Sequence, residues 1–369
     1  MKKSDIIQGV KNYVIDWCGV KKGENVLVLT DERNDQLTID TIVEVARGTG
    51  ANVVVVKLPY VASARTGPGG SPCYDFVLEA LKKTDKMLRC TKSFIDIDDK
   101  ELRQLLVEYG LRAYNLSEYY DAEYFASEAA KFPSRLALEI TRRAIEMARS
   151  GKNVHITTPK GTDFKIEVQP DDWGGAWTQM YGNPPGEFSV FPGGVVAALP
   201  TVGTAEGTIV YEVMGGYHVL GGPVKRLIKV RCKNGRIVDI TGGQEARILK
   251  KLFWSHKNSR HCARMFFGTH PKTRPLYHLV PGEHPGELER SAGAAEIAFG
   301  DACFLGGKIH SAIHEGGYIL KPTITVDDKV IVDNGRPLAL DDPDVRRIAK
   351  EYGDPDYLLG VGDKFPRED

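Results

Sequence analysis

The chain has 369 residues, with 49 Lys and Arg exactly offset by 49 Asp and Glu, and 42% of it is hydrophobic. That length is more than one compact core usually fills, so two domains are expected. The composition excludes extensive disorder, and a net charge of zero excludes a general nucleic-acid binder.

No apolar run approaches the ~18 residues of a membrane helix, and Met1–Lys3 is not followed by a signal-peptide core. The six cysteines are scattered and form no CxxC, which fits reduced thiols in a cytoplasmic protein. Neither a nucleic-acid nor a membrane partner is expected.

Asn25–Thr30 is a continuous apolar run and predicts a strand. Leu37–Arg47 has helical spacing and stops at Gly48–Ala51, and Val53–Leu58 reads as a second strand buried on both faces. Tyr74–Lys83 and Lys100–Gly110 predict helices, with Lys86–Arg89 and Leu111–Asn115 as weaker strands. This βαβ rhythm implies a small doubly wound sheet. The amphipathic stretch Ser134–Ser150, ended by Gly151, marks the boundary between a domain over 1–140 and another over 141–369.

Beyond it the texture is β-rich. Val154–Thr158, Asp163–Val168, Gly207–Val213, Leu227–Cys232 and Arg236–Ile240 predict strands, and Lys233-Asn-Gly-Arg236 is a hairpin signal. Glu245–Phe253 predicts a helix, and Leu320–Val326 with Lys329–Val332 a late hairpin. The second half is therefore expected to be α+β with a largely antiparallel sheet. Pro271–Gly286 reads as a long loop of the kind that is usually functional.

The common cofactor fingerprints GxxxxGK[ST], HExxH and GxSxG are absent. Two segments nevertheless carry chemistry. Gly182-Asn-Pro-Pro-Gly-Glu-Phe188 fixes its backbone with two prolines and two glycines and presents one carboxylate, Glu187, suited to a metal ligand or a general base. In Lys308–Gly317, His310 and His314 are four apart and fall on one face whether the segment is extended or helical. Seven of the nine histidines lie between His256 and His314. Within that cluster His256, His261, His278 and His284 read as surface or loop residues.

The order of Asn183–Phe188, Thr204–Thr208, Lys233–Val238, Gly242–Ala246, Phe267–Pro271, Ile297–Asp301, Gly306–Lys308 and the His314 segment resembles the aminopeptidase T family. The same succession resembles its relative, the 2,5-dihydroxypyridine 5,6-dioxygenases. The resemblance implies the aminopeptidase T-like fold, a small-molecule substrate and a homo-oligomer. It places the two-metal ligand positions of the aminopeptidases on Glu187, Arg264, Glu296, the vicinity of Cys303, His314 and Gly316. The single iron of the dioxygenases falls on Arg264, His314 and Gly316.

An arginine cannot ligate a cation. The resemblance therefore implies either one metal on Glu187, Glu296 and His314 (zinc, manganese or cobalt), or none, with Arg264 pairing Glu296 or clamping a substrate anion. His270 and His310 join Arg264 as substrate-binding candidates. The leading expectation is a hydrolase of a C–N bond in a small amide, peptide or N-heterocycle. In it Glu187 is the base, His314 the acid, and Arg264 and Glu296 complete the catalytic set. The alternatives are an iron-dependent ring-cleaving dioxygenase in aromatic heterocycle degradation, or a family member that binds a ligand without turnover.

Overall fold

The computed structural model describes residues 1–60, 74–92, 100–116, 120–174, 188–216, 219, 221–274, 285–303 and 306–362. The chain forms two compact units, Met1–Leu138 with Ala176–Gly193, and Glu139–Gly175 with Gly194–Asp369.

The first unit opens with α1 (Lys3–Lys11), which runs on into a π-helical segment over Asn12–Trp17. Ile6, Val10, Tyr13, Val14 and Trp17 recur at helical spacing and are fully buried, so this stretch packs by one apolar face. There follow β1 (Asn25–Asp31), α2 (Gln36–Gly48), β2 (Asn52–Leu58), α3 (Tyr74–Leu81), β3 (Lys86–Cys90), α4 (Lys100–Glu108) and β4 (Arg112–Leu116). Asp35 caps α2 by accepting from the Thr38 N–H at 3.1 Å, which fixes the helix start. The helix stops where Gly50 adopts a φ of +87°.

Short helices α5 (Ala122–Ala126) and α6 (Glu128–Lys131) lead to α7 (Ser134–Arg149). Strands β1 to β4 are parallel, in the order β2-β1-β3-β4. The Val53–Leu58 run is not covered on both faces: β2 is an edge strand, and Val54 is 61% exposed. A run of valines satisfies β propensity at an edge as readily as inside a sheet, so the pattern alone overstated its burial.

The second unit adds β5 (Asn153–Thr157) and β6 (Asp163–Gly174). The chain then supplies β7 (Phe188–Phe191) to the first sheet, parallel to β4. Back in the second unit come β8 (Val195–Pro200), β9 (Glu206–Met214), β10 (Gly222–Lys233), β11 (Arg236–Thr241) and α8 (Gln244–Ser255). They are followed by β12 (Cys262–Gly268), β13 (Ala294–Gly300), β14 (His314–Leu320), β15 (Thr323–Val326), β16 (Lys329–Asp333) and β17 (Arg336–Pro337). Helices α9 (Pro343–Ala349) and α10 (Pro355–Leu359) end the described chain.

The sheet is antiparallel, in the order β11-β10-β9-β14-β13-β12-β8-β6-β5-β15-β16-β17. A further pairing, Asp163–Lys165 of β6 with Glu206–Thr208 of β9, closes six of these strands into a ring. Side chains alternate across each strand, so one face of the ring is internal and the other external. Tyr211 lies on the internal face: its hydroxyl donates to the Ile297 carbonyl at 2.7 Å. Gly317 makes room for it, since a Cβ there would stand 2.6 Å from the Tyr211 ring. As expected, a small parallel α/β sheet precedes a large antiparallel one. Among the described residues, no helix is long and apolar enough to cross a membrane.

Candidate functional site

Strands β12, β13 and β14 lie side by side in the ring and are buried along almost their full length. Their register sets Phe266 opposite Glu296, Arg264 opposite Ala298, Tyr318 opposite Glu296 and His314 opposite Gly300. Arg264, Phe266, Glu296, Tyr318 and His314 therefore share one face, opposite to that of Tyr211 and Ile297.

The centre of this face is charged. One guanidinium nitrogen of Arg264, Nη2, donates to both Glu296 oxygens, at 2.9 and 2.8 Å. Both residues are at most 3% exposed. The guanidinium stacks over Phe266 with its carbon 4.1 Å from the ring centroid. A 3-10 turn, Leu288–Arg290, brings Glu289 to 3.7 Å from Arg264 and Arg290 to 3.5 Å from Glu289, so two cations and two carboxylates alternate.

Burial pushes the Glu296 carboxyl up from 4.5 to about 7, although Arg264 pulls it down. Desolvation outweighs the ion pair here, leaving a carboxylate that gains or loses its proton near neutrality.

His314 opens β14 and is buried. Its Nδ1 lies 2.7 Å from the Asp301 carbonyl, which only accepts, so Nδ1 carries the hydrogen. With its hydrogen on Nδ1, a neutral ring would carry its lone pair at Nε2, the tautomer of a base or a metal ligand. Glu296 and His314 do not meet. Four residues of β13 separate their register positions, about 13 Å along the strand at ~3.3 Å per residue.

His310 and His314 are not neighbours on one face. The segment before β14 is not a strand, because the Asp301 carboxylate accepts from the Ser311 N–H and turns it outward. The His310 side chain is 86% exposed, 3.0 Å from Asp301.

His270 follows β12 and is buried; its Nδ1 accepts from the Lys272 N–H at 3.2 Å and its backbone pairs with Arg290 and Ala292. It packs against Gly194, where a Cβ would lie 2.8 Å from that of His270. His256 is exposed, and His261 is held below its usual value by burial and neighbouring arginines. Glu187, His278 and His284 lie outside the described residues, as does the central portion of the expected loop, 275–284.

The positions implied for a single iron do not fit one. Arg264 has no lone pair to give and is fixed on Glu296. Gly316 has no side chain, and a Cβ there would stand 2.4 Å from the Ile297 carbonyl oxygen. His314 is the one ligand-capable residue of the three. Glu289, Arg290 and Asp301 complete the charge pattern and were not singled out by sequence. Their signal was weak: a Glu-x-Glu-Arg run beside a loop, and an Asp two residues before a cysteine.

Residues 7–339 match the family model described as NicX: 2,5-dihydroxypyridine 5,6-dioxygenase. The chain is 22% identical over 350 residues to the 2,5-dihydroxypyridine 5,6-dioxygenase of Pseudomonas putida KT2440, spanning 89% of this chain and 94% of that one.

Among solved structures, 2,5-dihydroxypyridine dioxygenase from P. putida KT2440 superposes with a TM-score of 0.68 at 19% identity, covering 91% of this chain and 98% of that one. AmpT from Thermus thermophilus gives 0.65 at 15% identity, covering 91% and 100%. These two show a common fold. The expectation of a C–N hydrolase is overturned, because the matched family and the curated relative are both named for oxidative ring cleavage. A match spanning nearly the whole of both units makes this chain a member of the 2,5-dihydroxypyridine 5,6-dioxygenase family.

Proposed function

We propose that the chain is a ring-cleaving oxygenase of a hydroxylated nitrogen heteroaromatic. The observation that carries this reading is the family match over residues 7–339. Dioxygenation takes both atoms of O2 into the product and breaks one ring bond. The electrons come from the ring, so no external reductant is consumed. Removing a hydroxyl proton makes such a ring a better electron donor, and holding the resulting anion keeps it so.

The external face of β12–β14 has groups for both tasks. Arg264 supplies a permanent positive charge beside an apolar ring, Phe266. Glu296, with its carboxyl raised to about 7, takes up a hydroxyl proton near neutrality. His314 offers a second acceptor at Nε2, its tautomer set by the Asp301 carbonyl. Arg264 remains charged throughout and so stabilises an oxyanion wherever it forms nearby. Because the residues at the implied iron positions do not fit a metal, these roles are assigned to the chain's own side chains.

Oxygen uptake with 2,5-dihydroxypyridine as the probe tests the reading. Ring absorbance falls in air with matching oxygen consumption and is stable under argon. Equal loss of the ring under argon would contradict oxygenation.

A further inference from the structure

The loop between β13 and β14 carries a second constellation, separate from the Arg264–Glu296 pair. Asp301, Cys303 and His310 each present one ligand-capable atom, and these atoms all lie within 4.8 Å of one another. We propose that they form a site for a thiophilic divalent cation, with zinc as the best fit.

The three side chains are presented by a frame that the backbone holds. Asp301 Oδ2 accepts from the Cys303 N–H at 3.1 Å, and Oδ1 from the Ser311 N–H at 3.0 Å. This aims the carboxylate at the other two residues, with Oδ1 3.0 Å from His310 Nδ1. The His310 carbonyl accepts from Asn258 Nδ2 at 3.1 Å, and the Ser311 hydroxyl donates to the Lys257 carbonyl at 3.0 Å. Asp301 and Ala302 are tied by their N–H groups to the carbonyls of Ile313 and Ile309, at 2.8 and 2.9 Å. Gly307 allows the loop to fold closely, since a Cβ there would stand 2.6 Å from that of Ala302.

The donor chemistry selects the ion. A thiolate sulfur, an imidazole nitrogen and a carboxylate oxygen make a mixed set that suits zinc, whereas magnesium and calcium favour oxygen throughout. Cys303 and His310 are exposed, so an ion reaches them from solvent. Three protein ligands leave the fourth tetrahedral position to water. Binding displaces the Cys303 thiol proton and keeps His310 neutral, so occupancy rises with pH. The Asp301 carbonyl also fixes the tautomer of buried His314. The cation would thus sit on the residue whose peptide group orients that imidazole.

Cobalt(II) titration of the full chain, stripped beforehand with chelator, tests the site. One equivalent produces a near-ultraviolet thiolate-to-cobalt charge-transfer band, and zinc abolishes it. Cys303→Ser eliminates the band, and His310→Ala weakens the affinity for cobalt. Failure of the band to appear, or its persistence in Cys303→Ser, overturns the proposal. Cobalt bound elsewhere through oxygen and nitrogen gives no thiolate band, so it is not mistaken for this site.

Discussion

Arg264→Met lowers the stability of the protein by about 1–2 kcal/mol at pH 8, because Glu296 loses its main partner and must stay buried and protonated at a pH where the unfolded chain ionises it. The double variant Arg264→Met with Glu296→Leu recovers most of that loss, since the buried carboxyl goes with its partner. Urea unfolding midpoints of the wild type, the single and the double variant check this. Equal losses in the single and double variants would show that packing over Phe266, and not the charge, is what Arg264 contributes.

The pH dependence has a definite sign. Glu296 has a folded value of about 7 against an ordinary value of 4.5, so between these limits the folded state holds the extra proton. Its contribution to stability is fully present below pH 4.5 and is lost as pH rises through 7. In the Arg264→Met variant the carboxyl rises further, so the penalty shrinks at pH 6, where the carboxyl is neutral. Unfolding at pH 6 and pH 8 therefore separates the single variant from wild type by different amounts.

His314→Ala reduces turnover of the heteroaromatic probe by about 10²–10⁴, the usual contribution of a positioned proton acceptor. Its structural cost is small, about 1 kcal/mol for the hydrogen bond to the Asp301 carbonyl. His314→Asn distinguishes the two contributions. Asparagine can still donate to that carbonyl but cannot act as a base, so stability returns towards wild type while turnover does not. Turnover measured in air-saturated buffer, beside unfolding midpoints for both variants, is the check. Recovery of activity by asparagine would reduce His314 to a structural hydrogen bonder.

Much of the first sheet is legible in the sequence. The apolar run at β1 and the helical spacing with a Gly stop at α2 are local signals, and local structure follows them. The exposure of β2 is not local: it depends on which strand stands at the edge. α1 and the π-helical segment after it carry a helical period through Ile6, Val10, Tyr13 and Trp17, but alternate it with Lys, Ser, Asp and Gln, which dilutes the signal.

The site strands are the least legible. Arg264, Glu296 and His314 put polar groups into β12, β13 and β14, and Gly316 and Gly317 lower strand propensity where the ring needs small residues. The resemblance placed Arg264 and Glu296 at related positions. It offered their pairing as one alternative, and the register of β12 with β13 brings the two side chains into hydrogen-bond contact. The i, i+4 spacing of His310 and His314 misled because it assumed a regular element, and Asp301 turns the chain there instead.

Labelling with ¹⁸O2 tests ring cleavage by dioxygen most directly. Mass spectrometry of the product formed from 2,5-dihydroxypyridine in ¹⁸O2 and ordinary water should show a ring-opened molecule carrying two heavy oxygen atoms from the gas. A ring-opened product without label from ¹⁸O2, its new oxygen drawn from water, would contradict it.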